Sequence, residues 1–177
     1  MCIRDSVGLV PFPIFLTDIL DATSTQVFFV FLIKAATDAA FYVPMGRIVR
    51  RRKGVGLLAQ ASAVRVGILG AYALIAMLRT GSSGLLPVSL IHVLTGVTWA
   101  AIAVAGTTAV AALAPKGLEG RAMGLYSALL GLGWLTGSLA GGWCAAIFGY
   151  PASFGTAAVL MAMVALWFWR LRVRMPG

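Results

Sequence analysis

Four ionisable residues, Lys34, Asp38, Arg65 and His92, lie inside otherwise apolar stretches of the sequence. A charge in lipid costs at least about 2.5 kcal/mol and normally faces a protein interior or a water-filled cavity, so each is a candidate for substrate binding or ion coupling. Lys34 and Asp38 are four residues apart, a spacing that places both side chains on one face of a helix. For His92 two interpretations stay open, a structural hydrogen bond or a titrating group, because an imidazole changes charge near neutral pH.

The depth of these charges indicates which of them meet. At about 1.5 Å per residue, Asp38 lies roughly 13 Å from Arg47, and Arg65 lies roughly 18 Å from Lys53 on the next span. An arginine side chain can bridge that offset, so the sequence predicts an ion pair between Asp38 and Arg65. Lys34 competes for the acid, and proton coupling through Asp38 is the alternative. With two cations for one acid, either an acid from elsewhere completes the cluster or the cavity receives an anionic substrate.

The elements that hold these residues are apolar spans. About 20 apolar residues cross the roughly 30 Å hydrocarbon layer as a helix. The chain is 60% hydrophobic and 11% charged, with a mean hydropathy of +0.96, whereas soluble domains carry about 25% charged residues. The sequence therefore predicts an all-α, polytopic transmembrane helix bundle whose environment is a lipid bilayer. Its spans are 7–20 (partial), 24–48, 55–78, 85–114, 121–148 and 152–169.

Composition also limits the other function classes. Residues 1–6 look like a sequence derived from a cloning or library adapter, and we expect one domain over residues 7–177. With two cysteines and one histidine, neither a metal site nor a cofactor is expected. The net charge of +9 falls in short clusters at span ends, so nucleic acid is not an expected partner. The sequence Gly81-Ser82-Ser83-Gly84 resembles the G-x-S-G motif of rhomboid-type intramembrane proteases, but here it falls in a short loop, so we expect no enzyme. The sequence lacks a phosphate-binding loop, so we expect any transport to be powered by gradients.

The cations predict the orientation of the chain. If the loop after the 24–48 span is cytoplasmic, ten cations lie on that side and only Arg79 lies on the other, as the positive-inside rule requires. The C-terminus is then cytoplasmic, and we expect an integral protein of a prokaryotic plasma membrane. The ten cations are Arg47, Arg50, Arg51, Arg52, Lys53, Lys116, Arg121, Arg170, Arg172 and Arg174.

The spacing of the glycines in the 121–148 span resembles a motif of a known family. Their small size lets two helices approach closely, which indicates either plain packing or a sliding interface. The spacing resembles a glycine motif of major facilitator superfamily antiporters, although Ser138 stands where that motif has proline. The stripe consists of Gly124, Gly133, Gly137, Gly141 and Gly142.

The basic turn resembles the loop pattern of the same superfamily, G-x-x-x-D-R-x-G-R-R. Its residues here are Gly46, Arg50, Arg51, Arg52 and Lys53, with Arg50 in the position of the aspartate and Lys53 in that of the second glycine. This variation is typical of the copy between the eighth and ninth helices of the superfamily. The resemblance implies that the chain is the C-terminal six-helix half, from the truncated seventh helix to the twelfth.

Further expectations follow from this resemblance. The missing N-terminal half is the expected partner, and a small solute is moved by alternating access around a site near the middle of the membrane. The seventh and tenth helices line the cavity, which nominates His92, Thr95 and Trp99. The eighth and eleventh border the other half, which nominates Lys34, Asp38 and the glycine stripe.

Three kinds of function remain open. The glycine stripe favours proton-coupled efflux of amphipathic compounds. The acid, arginine and histidine on successive helices resemble lactose-permease-like proton symporters and favour uptake of a small polar or anionic solute. The third alternative is a membrane scaffold that transports nothing.

Overall fold

The computed structural model describes residues 11–51 and 54–174. Helices occupy nearly all of these residues, and the connections between them are short. A single 3₁₀ turn, Gly81–Gly84, links the third helix to the fourth. The helices are α1 (Phe12–Leu20), α2 (Ser24–Arg51), α3 (Gly54–Leu78), α4 (Leu85–Leu113) and α5 (Glu119–Arg174).

Four stretches of the described residues are long and apolar enough to cross a membrane, namely Ser24–Arg51, Gly56–Leu78, Gly81–Leu113 and Glu119–Leu171. Large apolar side chains lie exposed along them, as expected where lipid is the solvent. The predicted fold class, an all-α polytopic transmembrane bundle, is thereby confirmed.

The last stretch is broken at Gly149. Its φ of 81° and ψ of 170° belong to a region that residues with a side chain rarely adopt. Ser153 donates a hydrogen bond to the carbonyl of Gly141 at 3.3 Å, although twelve residues of straight helix would separate them by about 18 Å. The chain therefore reverses at Gly149, and α5 consists of two antiparallel arms, residues 119–148 and 150–174.

Helix α4 lies between α2 and α3. It packs along both of them, whereas α2 and α3, neighbours in sequence, touch each other only slightly. The most extensive packing of all joins α3 to α5. This lateral order decides which polar residues can meet.

The short helix α1 fills the centre of the bundle. Phe12, Phe15, Leu16 and Leu20 are fully buried, and the ring of Phe15 lies 5.1 Å from that of Phe154 in an edge-to-face arrangement. Contacts of this kind are favourable beyond the area that they bury. Helix α1 thus joins the second arm of α5 to the middle of the bundle.

The end of α1 also meets the break in α5. The hydroxyl of Tyr150 donates a hydrogen bond of 2.7 Å to Oδ2 of Asp18. The turn between α1 and α2 and the reversal at Gly149 therefore lie at the same end of the bundle. Arg50 and Arg51, in the last turn of α2, lie at the opposite end.

Candidate functional site

Helix α4 carries a polar patch within its buried surface. His92, Thr95, Gly96 and Thr98 are all buried, in a helix whose other buried residues are valine, isoleucine, alanine and glycine. Buried polar groups require hydrogen-bond partners. Tyr72 and Arg65 of α3 supply such partners, while α2 approaches the patch closely at Gly96.

His92 is enclosed by aromatic rings. It is 1% exposed, and its ring stacks on that of Phe12 at 4.4 Å with an interplanar angle of 6°. Its Nδ1 shares a hydrogen bond of 3.0 Å with the hydroxyl of Tyr72, which also lies 3.4 Å from Oγ1 of Thr95. The other ring nitrogen, Nε2, is buried and has no hydrogen-bond partner among the described residues. Nδ1 is thus held by the hydrogen bond with Tyr72, while Nε2 is available for a further hydrogen bond.

The acid of the site is bound within its own helix. Nζ of Lys34 lies 2.7 Å from Oδ2 of Asp38, and the two side chains are 18% and 15% exposed. The second oxygen, Oδ1, is buried without a hydrogen-bond partner among the residues that the structure describes. The structure therefore corrects the predicted bridge to Arg65: the ion pair of Asp38 is with Lys34, the competing partner.

Gly96 lets α2 approach α4 beside this acid. A Cβ atom at residue 96 would lie 3.0 Å from Oδ1 of Asp38, 3.1 Å from the carbonyl oxygen of Lys34 and 3.1 Å from Cβ of Thr37. Two of these three neighbours belong to the α2 backbone or are fixed to it. The carboxylate therefore lies directly against the α4 backbone.

Arg65 reaches the same turn of α4 from α3. Its side chain is 3% exposed, Nε donates to Oγ1 of Thr98 at 3.2 Å, and Nη2 donates to the carbonyl of Thr95 at 3.5 Å. Its guanidinium carbon lies 5.4 Å from the ring centroid of Trp99, within the range of a cation–π interaction. Trp99 also meets Trp134 edge to face at 6.1 Å.

The lateral order of the helices explains the corrected pairing. Asp38 lies against Gly96, and Arg65 bonds to Thr95 and Thr98, so the two charges have the matched depth that the sequence predicts. Because α4 passes between α2 and α3, the acid and the arginine contact different faces of it. Arg65 therefore joins α3 to α4 by hydrogen bonds, whereas Asp38 only lies close against α4.

The glycine stripe divides into two faces. Gly133, Gly137 and Gly141 are buried, whereas Gly124 is exposed and Gly142 is half-buried. A Cβ atom on either Gly124 or Gly142 would have nothing within 4 Å. The three glycines spaced by four thus pack inside this bundle, and a contact of the stripe with the other half stays a prediction.

The loop motif adjoins an open cavity at the end of α2. A space of about 600 Å³ is lined by Pro44, Arg47, Ile48, Arg50 and Arg51. The motif residue Gly46 has room around it, since a Cβ there would meet nothing within 4 Å. Arg52 and Lys53 lie outside the described residues, as do residues 1–6 of the predicted adapter.

Sequence reasoning missed three residues of this site. Tyr72 and Phe12 contact His92, and Thr98 accepts the hydrogen bond from Arg65. The available signal was the spacing between Arg65 and Tyr72, because seven residues correspond to two helical turns and place both on one face. Phe12 gave no such signal, since stacking on His92 depends on how α1 enters the bundle.

A metal site would need several histidine, cysteine, aspartate or glutamate side chains close together. Within 11–51 and 54–174, no three or more His, Cys, Asp or Glu residues are grouped so that they could hold a metal ion.

Four helices long and apolar enough to cross a membrane indicate an integral membrane protein. Comparison with family models matches residues 3–177 to the Major Facilitator Superfamily, and the chain belongs to this family of transporters. The recognition made from the glycine and loop motifs is confirmed. Comparisons with curated proteins and with solved structures gave no match.

Proposed function

We propose that the chain is the C-terminal half of a proton-coupled transporter that exports amphipathic solutes by alternating access. The observation that carries the proposal is the ion pair of Lys34 and Asp38, part-buried against Gly96 where α2 meets α4. Charged groups inside membrane spans are costly and commonly mark sites of binding or coupling. Solute contacts are assigned to His92, Thr95 and Trp99 on α4.

Asp38 provides a means of coupling. Its carboxylate binds either a proton or the ammonium of Lys34, so protonation releases the lysine and removes the charge from the α2–α4 contact. A change that favours one arrangement of two packed helices shifts the population of that arrangement. In this scheme the proton biases α2 relative to α4, and the missing N-terminal half completes the rocking pair.

His92 is closely packed by aromatic rings in this arrangement of the helices, so we infer that an amphipathic solute would reach it only when the helices move apart. Phe12, Phe31 and Tyr72 surround the imidazole of His92, and ligand pockets typically combine such apolar walls with a few polar groups. The resemblance of the glycine stripe to antiporters favours export. Uptake of a small anionic solute is the second candidate, favoured by the buried guanidinium of Arg65 beside Trp99.

The coupling role is tested by Asp38→Asn in the complete transporter, reconstituted in proteoliposomes with an imposed proton gradient. We expect the loss of gradient-driven flux, while solute exchange without a gradient continues. Asp21→Asn is the matched control, because Asp21 is an exposed acid outside the long spans. Unchanged gradient-driven flux in Asp38→Asn would remove Asp38 from coupling. Flux in inside-out and right-side-out vesicles separates export from uptake.

A non-transporting scaffold makes opposite predictions. It would tolerate Arg65→Leu combined with Asp38→Leu, and solutes would not protect the site. Thr95→Cys, in a background without the native cysteines, tests protection from a thiol reagent. Protection by a transported solute supports the transporter, whereas equal labelling with and without every solute tested favours the scaffold.

The orientation is proposed on the cation count, with the C-terminus in the cytoplasm of a prokaryotic cell. Single cysteines replacing Arg51 and Arg170 should react with a membrane-impermeant reagent from one side, and a cysteine replacing Arg79 from the other. Labelling of Arg51→Cys and Arg170→Cys from opposite sides would contradict the span order.

A further inference from the structure

Three hydrogen bonds in series connect the imidazole of His92 to the backbone of α4. Nδ1 of His92 lies 3.0 Å from the hydroxyl of Tyr72, and that hydroxyl lies 3.4 Å from Oγ1 of Thr95. Oγ1 of Thr95 in turn donates to the carbonyl oxygen of Ile91 at 3.4 Å. A carbonyl oxygen can only accept, so this last contact sets the direction of the other two.

The hydrogens of the two hydroxyl groups decide the tautomer of His92, because each hydroxyl has one hydrogen to donate. Thr95 donates its hydrogen to Ile91, so its oxygen accepts from Tyr72. The oxygen of Tyr72 then accepts from Nδ1 of His92. The hydrogen of the neutral imidazole therefore lies on Nδ1, and Nε2 carries a lone pair. The other tautomer would satisfy only two of the three contacts.

Burial keeps this imidazole neutral. His92 is 1% exposed, and Nε2 has no hydrogen-bond partner within the part of the chain that the structure describes. A protonated ring would carry a second N–H at Nε2, and a buried charge without a partner for that group is costly. Nε2 is therefore an unused hydrogen-bond acceptor inside the bundle.

The walls around this acceptor are aromatic. The ring of Phe12 stacks on the imidazole at 4.4 Å, and the ring of Phe31 meets it edge to face at 5.5 Å. A polar group that enters between such rings loses its water and needs a complementary partner. Nε2 complements a group that donates a hydrogen, whereas ethers and carboxylates have none to donate. A charged amine is disfavoured, because the acid of the site, Asp38, is already paired with Lys34.

We propose that Nε2 of His92 accepts a hydrogen bond from the solute, which is an uncharged amphipathic compound with a hydroxyl or amide N–H group. Tyr72 and Thr95 are positioning residues, since they determine which ring nitrogen accepts. This inference rests on the proposed transport function and names the solute class of the same site.

The tautomer can be measured directly, because His92 is the single histidine of the chain. Nitrogen NMR of the chain, carrying isotope-labelled histidine and reconstituted in lipid nanodiscs, gives one signal for each ring nitrogen. The couplings to the carbon-bound ring hydrogens distinguish Nε2 from Nδ1. We expect a hydrogen on Nδ1 and none on Nε2. A hydrogen on Nε2 in the unmodified chain would overturn the proposal.

Thr95→Val tests the positioning role. Valine cannot accept the hydrogen of Tyr72, which then turns to Nδ1 and leaves the ring hydrogen on Nε2, so the tautomer should invert. Thr95→Ser keeps the hydroxyl and should keep the tautomer. Thr107→Val is the matched control on the same helix, because Oγ1 of Thr107 donates to carbonyls of α4 itself. An unchanged tautomer in Thr95→Val, or inversion in Thr107→Val, would contradict the hydrogen-bond series.

The solute class is tested with probes that differ in one donor, and this arm needs no variant. Benzyl alcohol should move the Nε2 signal toward that of a hydrogen-bonded nitrogen. It should bind at least about fivefold more tightly than benzyl methyl ether, because a buried acceptor left without a partner is costly. Benzoate should leave the signal in place. An Nε2 signal that benzyl alcohol does not move, or that all three probes move equally, would overturn the assigned class.

The proposed function and this inference can fail separately. Unchanged gradient-driven flux in Asp38→Asn would remove the coupling role and leave the tautomer and the probe binding as they are. A hydrogen on Nε2 would remove the assigned solute class and leave the coupling role of Asp38 unaffected.

Discussion

Replacing Gly96 by alanine tests the closest approach between α2 and α4. The added Cβ would lie 3.0 Å from Oδ1 of Asp38 and 3.1 Å from both the carbonyl oxygen of Lys34 and Cβ of Thr37. These distances are tighter than ordinary van der Waals contact, and a carbonyl oxygen in a helix cannot move without its backbone. Gly96→Ala should therefore push α2 away from α4.

The magnitude follows from two opposing effects. Overpacking a closely packed contact costs about 1–3 kcal/mol. Alanine in place of glycine favours a helix by about 0.5–1 kcal/mol. Gly70→Ala isolates the second effect, because Gly70 is exposed and a Cβ there would have nothing within 4 Å. We expect the free energy of unfolding of Gly96→Ala to lie about 1–3 kcal/mol below that of Gly70→Ala.

The assay is reversible unfolding of the purified chain in mixed micelles, followed by helical circular dichroism. Both variants are compared with the unmodified chain under the same conditions, so the lipid-mimetic environment cancels in the difference. Equal unfolding free energies for Gly96→Ala and Gly70→Ala would refute the close approach. They would also remove the reason for placing the carboxylate of Asp38 against α4.

The remaining predictions use the same unfolding assay. Tyr72→Phe removes the hydroxyl that reaches the buried imidazole and should lower the unfolding free energy by about 1–2 kcal/mol, whereas Tyr42→Phe, 40% exposed, should change it by less than about 0.5 kcal/mol. Gly149→Ala must adopt a φ of 81° and should cost about 1–3 kcal/mol, while Gly124→Ala, with open space around it, should be neutral or stabilising. Equal effects of Tyr72→Phe and Tyr42→Phe would contradict the hydrogen bond to His92. Equal effects of Gly149→Ala and Gly124→Ala would contradict the chain reversal at Gly149.

The fold could be predicted because lipid imposes simple constraints. A span needs about 20 apolar residues, and Gly149 next to Pro151 marks a reversal because glycine alone adopts its backbone angles without strain. The sequence places the last reversal at residues 149–151, and Ser153 lies against Gly141 as that turn requires. The predicted span ends at residues 48 and 55 differ from the observed Arg51 and Gly54, since helices continue beyond the apolar residues into the polar interface.

The side-chain pairing could not be predicted in the same way. Rise per residue gives depth, and helical spacing gives the face, but neither identifies the neighbouring helix. The short connection between α2 and α3 favoured direct contact between them, and from that contact came the pairing of Asp38 with Arg65. In the structure α4 separates the two helices, because α3 packs chiefly against α5 and α4.

The glycine stripe shows that spacing in the sequence predicts which residues share a helix face. Gly133, Gly137 and Gly141 are four apart and stay on one helix face, and all three are buried. Gly124 precedes Gly133 by nine residues, which at about 100° per residue is half a turn out of phase. The glycine motif therefore combines residues from opposite faces of the helix. The angular position of each residue around the helix axis shows that Gly124 does not lie on the face of the other three.

The positions of Asp38 and Arg65 on either side of α4 have a mechanical consequence for the proposed transport cycle. Both contact the turn of α4 from Thr95 to Thr98, but Asp38 meets it across an unpartnered oxygen, whereas Arg65 is joined to it by hydrogen bonds to Thr95 and Thr98. Protonation of Asp38 removes a charge from the α2–α4 contact and leaves the α3–α4 contact unchanged. Because one contact is sensitive to the proton and the other is not, α2 should move relative to an α3–α4 unit that stays intact.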